Sequence, residues 1–243
     1  MDPDRTDRAE RGPIVLPIVL PIVLVVPTAP RPDGNGLAMR AGMWLDALAA
    51  IAPVHLVVVP VSGPGNASAW IDARAASCTV VAPVTEDAAN RHVVAQLGRA
   101  EWRAALDATA PVPTRVGLAP PSLALDAIAL LAPHLGGATP HAVVVLREYL
   151  VPVGVTIAHE LGAVRTVVDL DDDVEPLLAR RGDVAAAEGY ARLARHWLPQ
   201  VDAVTIASAV DAAAFASRHE LPTPVVVPNT MAAATAFAPR PGT

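Results

Sequence analysis

Runs of aliphatic and β-branched residues recur along this chain, separated by Ala-rich stretches whose apolar positions return every three or four residues. The apolar runs are residues 22–26, 54–61, 79–84, 142–146, 165–170, 203–207 and 224–227. Most are hydrophobic throughout rather than alternating, which marks strands covered on both faces of a parallel sheet. Helices are predicted between them at 38–50, 90–106, 122–131, 152–161, 174–198 and 209–218. Strands alternating with helices predict an α/β fold: a Rossmann-like, doubly wound, mainly parallel sheet in a single domain, with right-handed crossovers. In the strand order 3-2-1-4-5-6 a crevice opens between the first and fourth strands, at their carboxyl ends.

Two polar segments should meet there. After the first strand comes Pro32-Asp33-Gly34-Asn35-Gly36, a loop leading into a helix. Glycine carries no Cβ, so such a loop turns sharply and lets a ligand approach backbone N–H groups; Gly34, Asn35 and Gly36 are the candidate binding residues. The following helix places Leu37, Met43, Trp44, Leu45 and Leu48 for burial and leaves Arg40 and Asp46 to more polar surroundings. The same pattern also fits an ordinary strand-to-helix turn. After the fourth strand, Arg147-Glu148-Tyr149 closes an otherwise apolar run, and charges in that place are either solvated or serve a ligand.

The fifth strand ends in Asp169-Leu170-Asp171-Asp172-Asp173-Val174-Glu175, with four aspartates and a glutamate within seven residues. They repel one another unless cations or N–H groups answer them. Asp172 or Asp173 is expected to cap the helix beginning near Val174, and at least one of Asp169 and Asp171 to face the crevice. A magnesium site follows from charge alone, but the spacing of a calcium-binding loop and a phosphate-binding Walker loop are both missing, and no metal is expected.

Composition narrows the classes. The net charge is −6, all 18 basic residues are Arg, and no basic stripe interleaved with aromatics occurs, so a nucleic-acid partner is not expected. The single Cys78 excludes an internal disulfide and fits a cytoplasmic protein. Residues 13–24 are three copies of Pro-Ile-Val-Leu. The run is too short and too rich in proline to span a membrane, and the acidic leader before it lacks the positive region of a signal peptide. Residues 1–20 therefore form a low-complexity extension, 21–229 the domain with the last repeat copy opening its first strand, and 230–243 a tail. The seven histidines lack metal-ligand spacing, and no GxSxG nucleophile motif occurs.

Several segments together resemble the GT-B-fold glycosyltransferases, the retaining group that uses nucleotide sugars. They are PDGNGLAMRAGMWLDAL, VVVLREYL, TVVDLDDDVE and HWLPQVDAVTIASAVDAAAFA leading to PVVVPNT. The likeness runs over most of residues 22–229, with Thr230 standing where such chains carry a glycine. The resemblance implies the N-terminal, acceptor-side half of such an enzyme, with a nucleotide-sugar donor as co-substrate and a sugar acceptor of unidentified type. It places Gly34 and Gly36 against donor phosphates and acceptor, Glu148 toward the cleft, and Asp169 and Asp171 near the reacting sugar; these three acids are the candidate catalytic residues. The donor-binding half, with its glutamate pair, would follow Asn229. The expectation is thus a chain that is inactive without a donor-binding domain or partner chain, and one prone to self-association through an apolar rim.

Two other readings compete. One is a non-catalytic Rossmann-like module that kept the fold as a binding or partner surface. The other is a nicotinamide-dependent oxidoreductase, which the residues disfavour. Met39 occupies the third glycine position of that fingerprint, and Pro60, Val61 and Ser62 replace the acidic end of the second strand.

Overall fold

A computed structural model describes residues 20–82, 114–119 and 121–229. Strand β1 (Ile22–Val26) is buried at every position, as are β2 (Val54–Val58) and β4 (Ala142–Leu146). The remaining strands are β3 (Ser77–Val80), β5 (Arg165–Asp169), β6 (Ala203–Ile206) and β7 (Val225–Val226). They form one sheet of seven strands in the order β3-β2-β1-β4-β5-β6-β7, and every neighbouring pair is parallel. This is the Rossmann-like, doubly wound architecture expected from the hydrophobic pattern. The point where the order reverses lies between β1 and β4.

Alternate residues of β1 serve different cores. Ile22, Leu24 and Val26 pack on one face with Ala41, Leu45 and Leu48 of α1 (Gly36–Ala49) and Ile71 of the short α2 (Ala69–Asp72). Val23 and Val25 belong to the opposite core. That core is filled by α4 (Leu123–Leu135), α5 (Val151–Leu161) and α7 (Val184–Trp197), with Phe215 of α8 (Ala209–His219) at one end. Burial on both faces is why these strands read as unbroken apolar runs.

Several boundaries differ from the expected ones. The helix expected over 174–198 is two helices, α6 (Val174–Arg180) and α7. Gly182 adopts φ +82° between them, and Asp183 accepts a hydrogen bond from Ala186 N, starting a new helix. Helix α4 runs four residues past its expected end, through Pro133, and stops at Gly136 with φ +58°. Short helices α2 and α3 (Thr114–Leu118) have too few turns to show periodicity in sequence. The expected helix at 90–106, the first two repeat copies up to residue 19 and the tail at 230–243 lie outside the described residues. The third repeat copy does supply the start of β1. Among the described residues no helix is long and apolar enough to cross a membrane.

Helix α5 lies so close to the sheet that a Cβ on Gly154 would sit 2.1 Å from Val145 Cγ2, on a stiff β-branched side chain of β4. On α1, a Cβ on Gly42 would meet Arg31 O at 2.4 Å, whereas one on Gly36 meets nothing within 4 Å. Gly154→Ala and Gly42→Ala are each expected to cost about 1–3 kcal/mol in urea unfolding, and Gly36→Ala to stay within about 0.5 kcal/mol of the parent. Equal stability in all three variants would contradict this packing.

Candidate functional site

The carboxyl ends of β1, β4 and β5 carry the polar groups anticipated from sequence, and arginines organise them. Asp169 closes β5 with no exposed surface. Its Oδ1 accepts from Arg40 Nη2 at 2.7 Å and Thr205 Oγ1 at 2.7 Å; its Oδ2 accepts from Arg40 Nε at 2.8 Å and Trp44 Nε1 at 2.8 Å. Each oxygen thus receives two hydrogen bonds. Arg40 donates its remaining Nη1 to Val227 O at 2.6 Å and Asn229 Oδ1 at 3.0 Å. Burial by itself would lower the Arg40 pKa, but the hydrogen bonds and charge of Asp169, together with the charges of Asp171 and Asp172, raise it.

Arg40 has the more polar surroundings expected for it, but inside the protein, where its side chain is fully enclosed. Its surroundings are polar because the protein supplies a carboxylate, a carbonyl and an amide. Leu45 and Leu48 are buried as expected, while Leu37, Met43 and Trp44 are half-buried.

The acidic run is answered one residue in two. Asp171 accepts from Arg147 Nη2 at 2.5 Å and from Asn229 Nδ2 at 3.4 Å, with Arg40 Nε at 3.8 Å. Burial raises the Asp171 pKa against the pull of Arg147. Asp173 binds Arg218 of α8. Asp172, between them, is mostly exposed and lies 3.6 Å from Arg147 Nη1. The strand ends at Asp169, and a tight turn follows in which Asp172 N donates to Leu170 O at 2.9 Å, so the alternation is set by this turn and not by strand pleating. Asp173 does hold the position before α6, but its carboxylate makes no capping hydrogen bond. A guanidinium within reach offers a charged partner, and a charge-assisted bond is stronger than one to a neutral N–H.

Backbone strain gathers in the same place. Arg147 adopts φ 81° and ψ 136°, and Asp171 adopts φ 63°. These residues leave neighbouring strands β4 and β5 and are ion-paired to each other. Positive φ on a side-chain-bearing residue costs about 1–3 kcal/mol and clusters at functional sites.

Gly34, Asn35 and Gly36 stand exposed in the loop that leaves the carboxyl end of β1 and enters α1. Gly34 needs its glycine, with φ +102°; Gly36 is already the first helical residue. The Asn35 side chain is engaged as the α1 cap, accepting from Ala38 N at 2.9 Å. The loop after β2 is tied over this rim: Ala29 N donates to Pro64 O, Ser62 N to Pro27 O, and the Ser62 and Tyr149 hydroxyls are 2.7 Å apart. The Arg115 guanidinium lies 5.4 Å from the centroid of the Tyr149 ring.

Glu148 is buried in the short 3₁₀ turn Glu148–Leu150. Burial, then the charges of Asp173 and Glu175, hold its carboxyl well above the usual range, with Arg218 opposing. The three acids singled out in sequence are thus in different environments: Asp169 in a closed clamp, Asp171 at the strand exit, Glu148 in a separate acidic pocket. Among the described residues no group of three or more His, Cys, Asp or Glu side chains is arranged to hold a metal ion.

Sequence reading missed Arg40, Trp44, Thr205 and Asn229. Two signals pointed to the first two, and none to Thr205 or Asn229. Four aspartates require cations, and Arg40 and Trp44 stand four apart on the helix that follows the glycine loop, so both reach the same neighbour.

No protein-family model matches the chain, and no curated protein matches it significantly.

Arg40→Met or Asp169→Asn leaves a buried partner unsatisfied, and each is expected to lower stability by about 3–5 kcal/mol in chemical denaturation. The double variant should cost less than the sum of the two, since the pair is lost only once. Strict additivity would dissolve the clamp. Separately, Arg147→Gly should be more stable than Arg147→Ala by about 1 kcal/mol, because both lose the ion pair but only glycine relieves the positive φ. Thermal unfolding of the two variants measures the difference.

Proposed function

We propose that the crevice between β1 and β4 binds a sugar acceptor and that the chain is the acceptor-side half of a nucleotide-sugar-dependent glycosyltransferase. The observation that carries this reading is the pairing of two strained strand exits, Arg147 and Asp171, beside the glycine loop at the topological switch point. Ligands of open α/β sheets bind at that point, outside the carboxyl ends of the strands. The segments that resemble glycosyltransferases supply the reaction class.

In this reading the exposed loop of Gly34, Asn35 and Gly36 offers backbone N–H groups at the start of α1, whose first turn carries no acidic residue to repel an anion. Asp171 is the carboxylate placed to orient an acceptor hydroxyl, and Arg147 holds it in one geometry. Asp169 acts one step back: it fixes Arg40 and Trp44, and through them α1 behind the glycine loop. The donor is a co-substrate held by a donor-binding domain or partner, and no metal takes part.

A non-catalytic binding module is the second reading. It is favoured by the complete engagement of Asp169, which has two donors on each oxygen and none to spare for a substrate.

Titration of the labelled chain with candidate sugar acceptors, followed by backbone amide NMR, tests the site. Acceptors are expected to shift amides 33–38, 147 and 171, and nucleotide sugars alone to bind more weakly than about 1 mM. Shifts confined to the hollow of about 540 Å³ lined by His159, Trp197 and Asp202 would overturn the assignment. Transfer that appears when a donor-binding domain is supplied, and falls on the order of 10²-fold in Asp171→Asn, separates enzyme from binding module.

A further inference from the structure

The segment leaving β7 carries a side chain that reaches both buried ion pairs at the strand exits. Asn229 is exposed to solvent, yet the two ends of its amide are turned onto buried groups. Its Oδ1 accepts from Arg40 Nη1 at 3.0 Å, and its Nδ2 donates to Asp171 Oδ1 at 3.4 Å. The partners decide which end of an amide is oxygen and which is nitrogen. A guanidinium only donates and an ionised carboxylate only accepts, so the oxygen faces Arg40 and the nitrogen faces Asp171. Asn229 thus bridges the Arg40–Asp169 clamp and the Arg147–Asp171 pair.

The Asp171 backbone is secured without it, because Ala207 N, just past the end of β6, donates to Asp171 O at 2.9 Å. The carboxylate needs more. Arg147 Nη2 binds its Oδ2 at 2.5 Å, and one contact at one end does not fix the plane of the group. Arg40 Nε lies 3.8 Å from Oδ1 but donates to Asp169 Oδ2 at 2.8 Å, so it supplies charge to Asp171 rather than a hydrogen bond. Among the described residues, Asn229 Nδ2 is the side-chain donor to Oδ1.

We propose that Asn229 is a positioning residue for Asp171: its amide, oriented by Arg40, holds Oδ1 while Arg147 holds Oδ2, so that the carboxylate meets a ligand hydroxyl in one orientation. A carboxylate oxygen has two lone pairs, so Oδ1 keeps one for a hydroxyl after Asn229 has taken the other. A neutral amide steadies the group without adding a second cation to it. This role rests on the reading of Asp171 as the carboxylate that orients an acceptor, although the hold of Asn229 on that carboxylate requires no ligand.

The bridge also ties the crevice to the path of the chain after β7. Arg40 Nη1 binds Val227 O at 2.6 Å as well as Asn229, so two points of that segment are fixed to one guanidinium. A displacement of the segment would carry Asn229 away and leave Arg147 alone to orient Asp171. Misplacing a catalytic or binding group by a fraction of an ångström is enough to slow a reaction, because the reacting atoms must meet in a narrow range of geometry.

Carboxyl NMR of Asp171 in the whole chain, parent against Asn229→Ala, tests the hold without a ligand. Loss of the N–H donor is expected to move the Asp171 titration to higher pH by about 0.5, because that bond favours the ionised form. The other groups acting on this carboxyl, Arg147, Asp172, Arg40 and Asp169, are the same in both chains, and Arg40 keeps Asp169 and Val227 O in the variant. In the parent, the side-chain amide protons of Asn229 should shift with the same midpoint as Asp171, a measurement that stands even if Asn229→Ala does not fold. An unmoved Asp171 titration overturns the proposal, and so does an Asn229 amide that ignores it. Amide shifts in β1 and β4 as large as those around residue 171 also overturn it, since they would mean general loosening. Where transfer is observed with a donor-binding domain supplied, Asn229→Ala should lower it about ten-fold, and unchanged transfer overturns the positioning role. Acceptors that leave amides 147 and 171 unmoved end the glycosyl-transfer reading instead, whatever the Asp171 titration shows.

Discussion

The carboxyl end of this sheet is organised around the buried pair of Arg40 and Asp169. A buried carboxylate is tolerable only with its lone pairs satisfied, and a buried guanidinium only with its donors satisfied. Asp169 meets the first condition with donors from α1 and β6, and Arg40 meets the second with acceptors from β5 and from the segment after β7. The pair consequently determines where α1 sits relative to β5 and where the chain runs after β7. The glycine loop precedes α1 directly, so its position follows from the same pair.

The other two arginines repeat the device with decreasing burial. Arg147 on Asp171 is nearly enclosed, and Arg218 on Asp173 is about one-third exposed. Together the three cations convert a mutually repulsive acidic run into three anchors, to α1, to the exit of β4 and to α8. Without them the run would be a highly charged loop. With them it is a rigid edge of the crevice, at the cost of strained backbone at Arg147 and Asp171. Rigid side-chain placement around a concave site is what oriented binding requires.

The two buried acid sites differ in how their charge is resolved. Around Asp169, donors outnumber what one carboxylate needs, and the surplus reaches the chain leaving β7. Around Glu148, burial and the charges of Asp173 and Glu175 hold the carboxyl well above the usual range, against the pull of Arg218.

The doubly wound sheet was legible in the chain because burial on both faces writes itself locally. A strand such as IVLVV must be apolar at every position, and its neighbours in sequence reveal that without knowledge of the fold. The strand-to-helix turn at Gly34 was legible for the same reason, since left-handed backbone selects glycine locally. The break at Gly182 and Asp183 was legible in principle too, yet the Ala-rich periodicity on both sides concealed it. What sequence could not decide was which charge meets which. Arg40 and Asp169 are 129 positions apart, and Arg218 and Asp173 are 45 apart. A carboxylate at a strand end has the same local pattern whether it awaits a substrate, a helix N–H or a distant arginine. Only the docking of α1 and α8 against the sheet placed a guanidinium nearer than solvent. That is why Asp169 became a clamp and Asp173 gave its carboxylate to Arg218 in place of a helix cap.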